Sequence, residues 1–131
     1  MGRRIAGVVL GLVAAGLVVM LVEGVGQSAF PPAAGFDPTS PDLSLVPLPA
    51  LLSVALAWVL GPLTGGLVAT LVGKPAGPLP ALVLGGFFLA ADVANLIMIP
   101  SPGWLWVVGL LAPVPAAWAG FAWARRRRAS P

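Results

Sequence analysis

The chain has 131 residues, 59% of them hydrophobic and 8% charged, with a net charge of +3 and no Cys, His or Tyr. A soluble domain carries roughly a quarter charged residues, so a water-soluble globule of this composition would be left with uncovered apolar surface. Disulfide and thiolate chemistry are excluded, as are the imidazole base and the imidazole metal ligand.

The first apolar run, Ile5–Val22, follows Arg3 and Arg4 and ends at Glu23. A helix needs about 20 predominantly apolar residues to cross the hydrocarbon of a bilayer, and this run predicts a span over residues 5–24. It is longer than the apolar segment of a cleavable leader, and Gln27-Ser28-Ala29 is a poor cleavage site. A retained span is therefore expected. A long connection over residues 25–49 follows, rich in Pro (Pro31, Pro32, Pro38, Pro41, Pro47 and Pro49). Within it, Ser40-Pro41-Asp42-Leu43 reads as the cap and first turn of a short helix. Leu43, Leu45, Val46 and Leu48 would then lie on the bilayer surface; a stiff linker explains the same residues.

The second span is expected over residues 50–73, the third over 79–99 and the fourth over 103–124. Gly73-Lys74-Pro75-Ala76-Gly77-Pro78 and Pro100-Ser101-Pro102-Gly103 are tight turns of helix breakers. Ser101 is placed to cap the fourth helix, with Pro102 at its first position. Trp104 and Trp106 fall at one membrane interface and Trp123 at the other. Backbone groups in lipid must be satisfied within the segment, so all of these spans are helices. The fold expected is a single all-α domain over residues 1–131, a four-transmembrane-helix antiparallel bundle.

The charges orient it. Arg3, Arg4, Lys74 and Arg125 to Arg128 fall on one side of this map, and Glu23, Asp37 and Asp42 on the other. Loops flanking membrane spans keep Lys and Arg in the cytoplasm. Both termini are thus expected inside, with the Pro-rich loop outside. The four terminal Arg residues read as a stop-transfer anchor or a patch for anionic lipid heads; the charge reports orientation, not nucleic-acid binding. Six Arg against one Lys, amid heavy Ala, Gly, Val and Pro use, is the composition of a GC-rich bacterial genome. The bacterial inner membrane is the expected location.

Lipid tails are as apolar as Leu, so helices in a bilayer associate by close backbone approach at small residues. The longest row of small residues is Ala57, Gly61, Gly65 and Ala69, continuing to Gly73 on helix two. It predicts either a central helix within the protomer or a homodimer seam. Shorter rows are Gly7, Gly11 and Ala15 on helix one, Gly86, Ala90 and Ala94 on helix three, and Ala112, Ala116, Gly120 and Ala124 on helix four. Pro62, and Pro113 with Pro115, interrupt helices two and four. They predict fixed kinks that shape the bundle, or hinges.

Asp92 lies inside the third span with Asn95 one turn further along the same face. An ionised carboxylate at such depth costs roughly 3 kcal/mol on insertion scales, and no basic residue lies in any span to offset it. Asp92 is therefore expected to hold a proton or to face water, a cation or hydrogen-bond donors. Glu23 precedes Pro31 by the spacing at which Asp92 precedes Pro100. If Gly24-Val25-Gly26-Gln27-Ser28 stays helical, the two carboxyls share one depth, about 12 Å below the outer surface at the helical rise. If the helix stops near Glu23, that residue is an ordinary interfacial acid.

The chain resembles a group of small four-span bacterial inner-membrane proteins without an assigned activity. The likeness is carried by Val22-Glu23-Gly24, by Pro31-Pro32-Ala33-Ala34-Gly35 with Asp37, by Leu60-Gly61-Pro62-Leu63-Thr64-Gly65-Gly66, and by Asn95-Leu96-Ile97-Met98-Ile99-Pro100-Ser101-Pro102-Gly103-Trp104. Members of the group often carry His at the position of Ser101. The resemblance implies the topology and the polar positions, and no reaction.

The function expected is a non-enzymatic packing, interaction or accessory subunit with a polar intramembrane pocket formed by Asp92, Asn95 and Glu23. Its partners would be the bilayer and a second copy or another membrane protein, with no nucleic acid, cofactor or metal. The alternative is a proton- or cation-linked transporter, or a subunit of one, that uses Asp92. An enzyme is not expected, because the usual nucleophile–base and metal-ligand sets are missing.

Overall fold

In the computed structural model, which describes residues 2–129, helix α1 runs over Gly2–Ala29, α2 over Leu48–Gly73, α3 over Leu79–Met98, α4 over Gly103–Leu111 and α5 over Pro113–Ala129. A 3₁₀ turn at Leu43–Leu45 is the one other regular element among these residues. With α4 and α5 joined end to end, four helices are long and apolar enough to cross a membrane. Their bounds sit close to the expected spans except in α1, which continues to Ala29.

Proline sets the helix starts. Pro49 and Pro80 occupy the first turns of α2 and α3, where a missing N–H breaks no bond. Helix α2 ends on Lys74 in the left-handed conformation (φ 47°), with its N–H donating to the Thr70 carbonyl. Pro62 is buried inside α2 without ending it. At Pro113 the fourth span does break: α4 stops at Leu111 and Pro113 opens α5. Pro113 and Pro115 both fall in the first turn of α5, where amide hydrogens have no helical partner. Ala112 still holds helical angles, and its N–H donates to the Val108 carbonyl. The Ala116 N–H donates to the Ala112 carbonyl, so helical hydrogen bonds resume past the two prolines.

The long small-residue row of α2 is consumed within the protomer, against α1. A Cβ added at Gly7 would stand 2.6 Å from the Ala69 carbonyl oxygen and 2.9 Å from the Gly73 nitrogen. One added at Gly11 would stand 2.6 Å from the Gly65 carbonyl oxygen, and one at Gly61 2.6 Å from Val19. Ascending positions on α1 meet descending positions on α2, so the pair is antiparallel. Ala15, Ala57 and Ala69 are fully buried along this seam. A second close approach joins α2 to α5, where Gly66 abuts the Ala117 backbone and Gly120 abuts Leu63 and Leu67. Further along, Gly109 of α4 lies against Trp58 of α2. Here ascending positions meet ascending ones, so the second and fourth spans run parallel: Trp58 faces Gly109, and Leu63 and Leu67 face Gly120. Helix α2 is the central rod, with α1 on one flank, the α4–α5 rod on another, and α3 against all of them.

Helix α3 uses a different row from the one expected. Gly86, Ala90 and Ala94 are exposed, and a Cβ at Gly86 would meet nothing within 4 Å. The inward row is Ala81, Leu84, Gly85, Asp92 and Leu96. Gly85 packs on the Val114 and Ala117 region of α5, and Leu84 fills the groove beside Gly11 and Gly65. Leu84 is fully buried, so a large side chain serves where small ones had been expected. The outward surface carries the exposed apolar residues Val9, Val13, Leu17, Met20, Phe87 and Leu111.

These directions gather Arg3, Arg4, Lys74 and Arg125 to Arg128 at one end of the bundle, with the Pro-rich loop at the other. At the basic end the Arg3 guanidinium Nε donates to the Val72 carbonyl (3.0 Å), satisfying a terminal acceptor of α2. Arg125 lies over the Phe121 ring at 5.6 Å from its centroid, within cation–π range.

Gly11→Ile forces a branched side chain into the Gly65 backbone and is expected to destabilise the protein by about 1–3 kcal/mol. Gly16→Ile is the control, because a Cβ at Gly16 meets nothing within 4 Å. Thermal unfolding in a mild detergent should separate the two; equal midpoints would mean that α1 does not touch α2 at Gly11.

Candidate functional site: an acidic pocket at the proline-rich end

The continuation of α1 through Gly24–Ala29 creates the site. Gly26 is buried where α1 crosses α2, and a Cβ there would run into the Ser53 side chain. Ser53 folds back onto the Ala50 carbonyl (2.6 Å). Gly26 thus lets the two helices pass at contact, and that contact offsets the intrinsic cost of glycine in a helix. The Phe30 N–H still donates to the Gly26 carbonyl (2.9 Å). Glu23 is therefore a helical residue rather than an interfacial terminus. It stands as far from Ala29, the end of α1, as Asp92 does from Met98, the end of α3.

Asp92 is buried, with 5% of its surface exposed. Its Oδ2 has no hydrogen-bond partner. Glu23 is half-buried, and its helix packs against α3, which carries Asp92. Both carboxyls therefore lie in the half of the bundle that carries the Pro-rich segment. Asn95 plays another part than the one expected: its side chain is exposed and does not partner Asp92 Oδ2. It lines a cavity instead.

That cavity holds about 260 Å³. Its polar groups are Glu23 and Gln27 from α1, Asn95 from α3 and Ser101 from the turn before α4. Helix α2 adds Ala50, Leu51 and Val54, α4 adds Leu105, and Phe30 closes the end of α1. The Pro-rich segment supplies Pro32, Phe36, Pro41, Leu43 and Val46 as a roof. Leu43 also packs on the cluster of Ala57, Trp58, Leu96 and Leu105 beneath it. The segment is therefore folded over the bundle end: Leu43, Leu45 and Val46 are half-buried, and only Leu48 of the expected surface set is exposed.

The roof is shaped by local hydrogen bonds. Asp42 caps the 3₁₀ turn, its Oδ1 accepting from the Ser44 N–H (3.0 Å) and hydroxyl (2.7 Å). Asp37 accepts in the same way from the Thr39 hydroxyl (2.8 Å) and N–H (2.9 Å). These bonds favour the ionised form and hold both carboxyls below the usual aspartate range. The Ala33 N–H donates to the Leu45 carbonyl (2.7 Å) and ties the two limbs of the segment together. Ser101 does not cap α4, whose N-cap is Pro102 without a side-chain bond. Its hydroxyl donates to the Ile99 carbonyl (2.8 Å), so its oxygen lone pairs remain free to accept. On the roof's far side a shallower groove shares Pro41, Leu43, Leu51 and Ser101 with the cavity, so only a thin wall separates the pocket from the loop surface.

Sequence reasoning missed Gln27, Phe30 and Phe36. The signal for Gln27 was present, since it lies four residues after Glu23 and on the same helical face. Phe36 carried none, because its position depends on how the loop folds back.

Comparison with protein-family models, curated proteins and solved structures gave no match. The chemistry of this pocket therefore carries the functional assignment.

Asp92→Asn should unfold at or above the wild-type temperature, because an uncharged amide removes the cost of a buried carboxylate without a donor. Asp92→Lys, a longer charged side chain in the same buried position, should lower the midpoint by several degrees. A wild-type midpoint for the Lys variant would place Asp92 outside the packed interior.

Proposed function

We propose that the chain is a multi-pass protein of the bacterial inner membrane, with both termini cytoplasmic, that acts without catalysis as an accessory or interaction subunit and presents a small-ligand pocket to the extracytoplasmic side. The observation that carries this reading is the roofed cavity bearing Glu23, Gln27, Asn95 and Ser101 among apolar walls. A concave, mostly apolar site with a few convergent polar groups is the usual form of a ligand pocket. Its volume of about 260 Å³ lies just below the common range of roughly 300–1,000 Å³, which favours a small ligand. Orientation follows from the basic residues at one end, since short loops retain Lys and Arg in the cytoplasm. The small-residue row of α2 is used on α1, so a partner or second copy would dock elsewhere.

Asp92 favours a second reading, a proton- or cation-linked transporter subunit. A buried carboxyl oxygen without a partner is costly in a span and is typical of ion pathways. Reconstituted vesicles that show ion flux with wild type and lose it with Asp92→Asn would establish this reading; equal flux in both, or none in either, would remove it.

Val54→Phe fills the cavity from its α2 wall. In a thermal-shift screen of small molecules against the nanodisc-embedded protein, compounds that stabilise wild type should lose their effect on this variant. A screen in which nothing stabilises wild type, or in which every stabilisation survives Val54→Phe, would refute the pocket.

A further inference from the structure

We infer that the pocket takes a small organic monocation, an ammonium-type head against Glu23 with an apolar body among Phe30, Phe36, Leu43 and Leu105. This assignment rests on the pocket reading above and adds the chemical class of its occupant.

Charge is the first argument. Glu23 lines the cavity, and Asp92 is buried on the inward row of α3 in the same half of the bundle. All seven Lys and Arg residues of the chain are Arg3, Arg4, Lys74 and Arg125 to Arg128, gathered at the opposite end of the bundle. The two carboxyls have no cation of their own chain within reach, and Asp92 Oδ2 has no hydrogen-bond donor either. Compensation comes from a proton or from a positively charged ligand, and the cavity beside Glu23 gives the ligand room. An anion would meet the Glu23 carboxyl and no basic residue.

The lining decides which kind of cation. A hard metal ion takes six or more oxygen ligands in the calcium case and a near-octahedral shell in the magnesium case. This cavity offers only Glu23, Gln27, Asn95 and Ser101 as side-chain oxygens, and its other walls are apolar. An organic cation uses such a wall. Its body buries against Leu43, Val54 and Leu105, and the faces of Phe30 and Phe36 attract positive charge. The polar groups fit as well. The Ser101 hydroxyl hydrogen is already given to Ile99, so toward the pocket this residue can only accept. The amide oxygens of Gln27 and Asn95 are further acceptors.

The test uses the full chain in a maltoside detergent, with calorimetry as the readout. The probes are benzyltrimethylammonium and its uncharged carbon isostere, neopentylbenzene. Wild type should bind the ammonium about tenfold more tightly than the isostere, equivalent to about 1.4 kcal/mol. Glu23→Gln should reduce ammonium affinity by a similar factor, and Val54→Phe should abolish it. Equal binding of the two probes to wild type overturns the cationic assignment while the pocket stands; this comparison needs no variant to fold. Unchanged ammonium affinity in a folded Glu23→Gln protein overturns it as well. If neither probe binds, or if binding ignores Val54→Phe, the assignment and the pocket reading fall together.

Discussion

Backbone-to-backbone contact between α1 and α2 is the constraint on which the rest of this molecule depends. In water, two apolar helices would be driven together by exclusion of solvent. In lipid that drive is missing, and association relies on dispersion between atoms brought to contact. Gly7 and Gly11 bring the α1 backbone onto the carbonyls of Ala69 and Gly65, and Gly61 receives Val19. A methyl group at any of these positions would separate the two rods and weaken every contact along the seam. The same device recurs where Gly66 and Gly120 join α2 to α5. Helix α2 is central because it presents small residues in two directions, Gly61 and Gly65 toward α1 and Gly66 toward α5.

The seam also sets the position of the acidic groups. Contact at Gly26 keeps α1 helical past Glu23 and holds that carboxyl against the bundle rather than in the loop. Leu84, seated between Gly11 and Gly65, fixes the rotation of α3. Asp92 lies two turns further along the inward face of α3, on the row completed by Leu96. The pocket is thus a consequence of helix packing, closed by a loop whose Leu43 and Phe36 have nowhere else to bury.

Much of this is legible in the order of the residues alone. Span number follows from apolar run length, and helix starts follow from Pro49, Pro80 and Pro102. The packing role of Ala57, Gly61, Gly65 and Ala69 follows from their spacing. What escaped depends on tertiary contact. Gly24 and Gly26 carry a local signal against helix, and only the approach of Ser53 and Ala50 overrides it. The row Gly86, Ala90 and Ala94 has the right spacing but faces outward, because Leu84 fits a groove that spacing alone does not reveal. Ser101 resembles a helix cap in sequence, yet its hydroxyl turns back to Ile99. The surface reading of Leu43 failed because a loop residue can descend onto the Trp58 cluster, a possibility that periodicity does not register. Asp92 was identified because a carboxyl in a span is conspicuous by composition alone; Glu23 needed the helix to continue.

The orientation signal and the candidate site are two consequences of one charge distribution. Sorting every Lys and Arg to one end is the pattern by which the positive-inside rule would orient the chain. It also strips the other end of cations, so that Glu23 and Asp92 stand in a half of the protein with no positive side chain to meet them. A chain under pressure only for stability would replace an unpartnered carboxyl in a span by an apolar or amide side chain, because its burial costs free energy and its packing gains little. Asp92 instead sits with its Oδ2 unsatisfied, in the same half of the bundle as Glu23 and the roofed cavity. Such an arrangement becomes favourable once a positive charge enters from outside. The deficit inside the fold is then the source of affinity for what the fold binds.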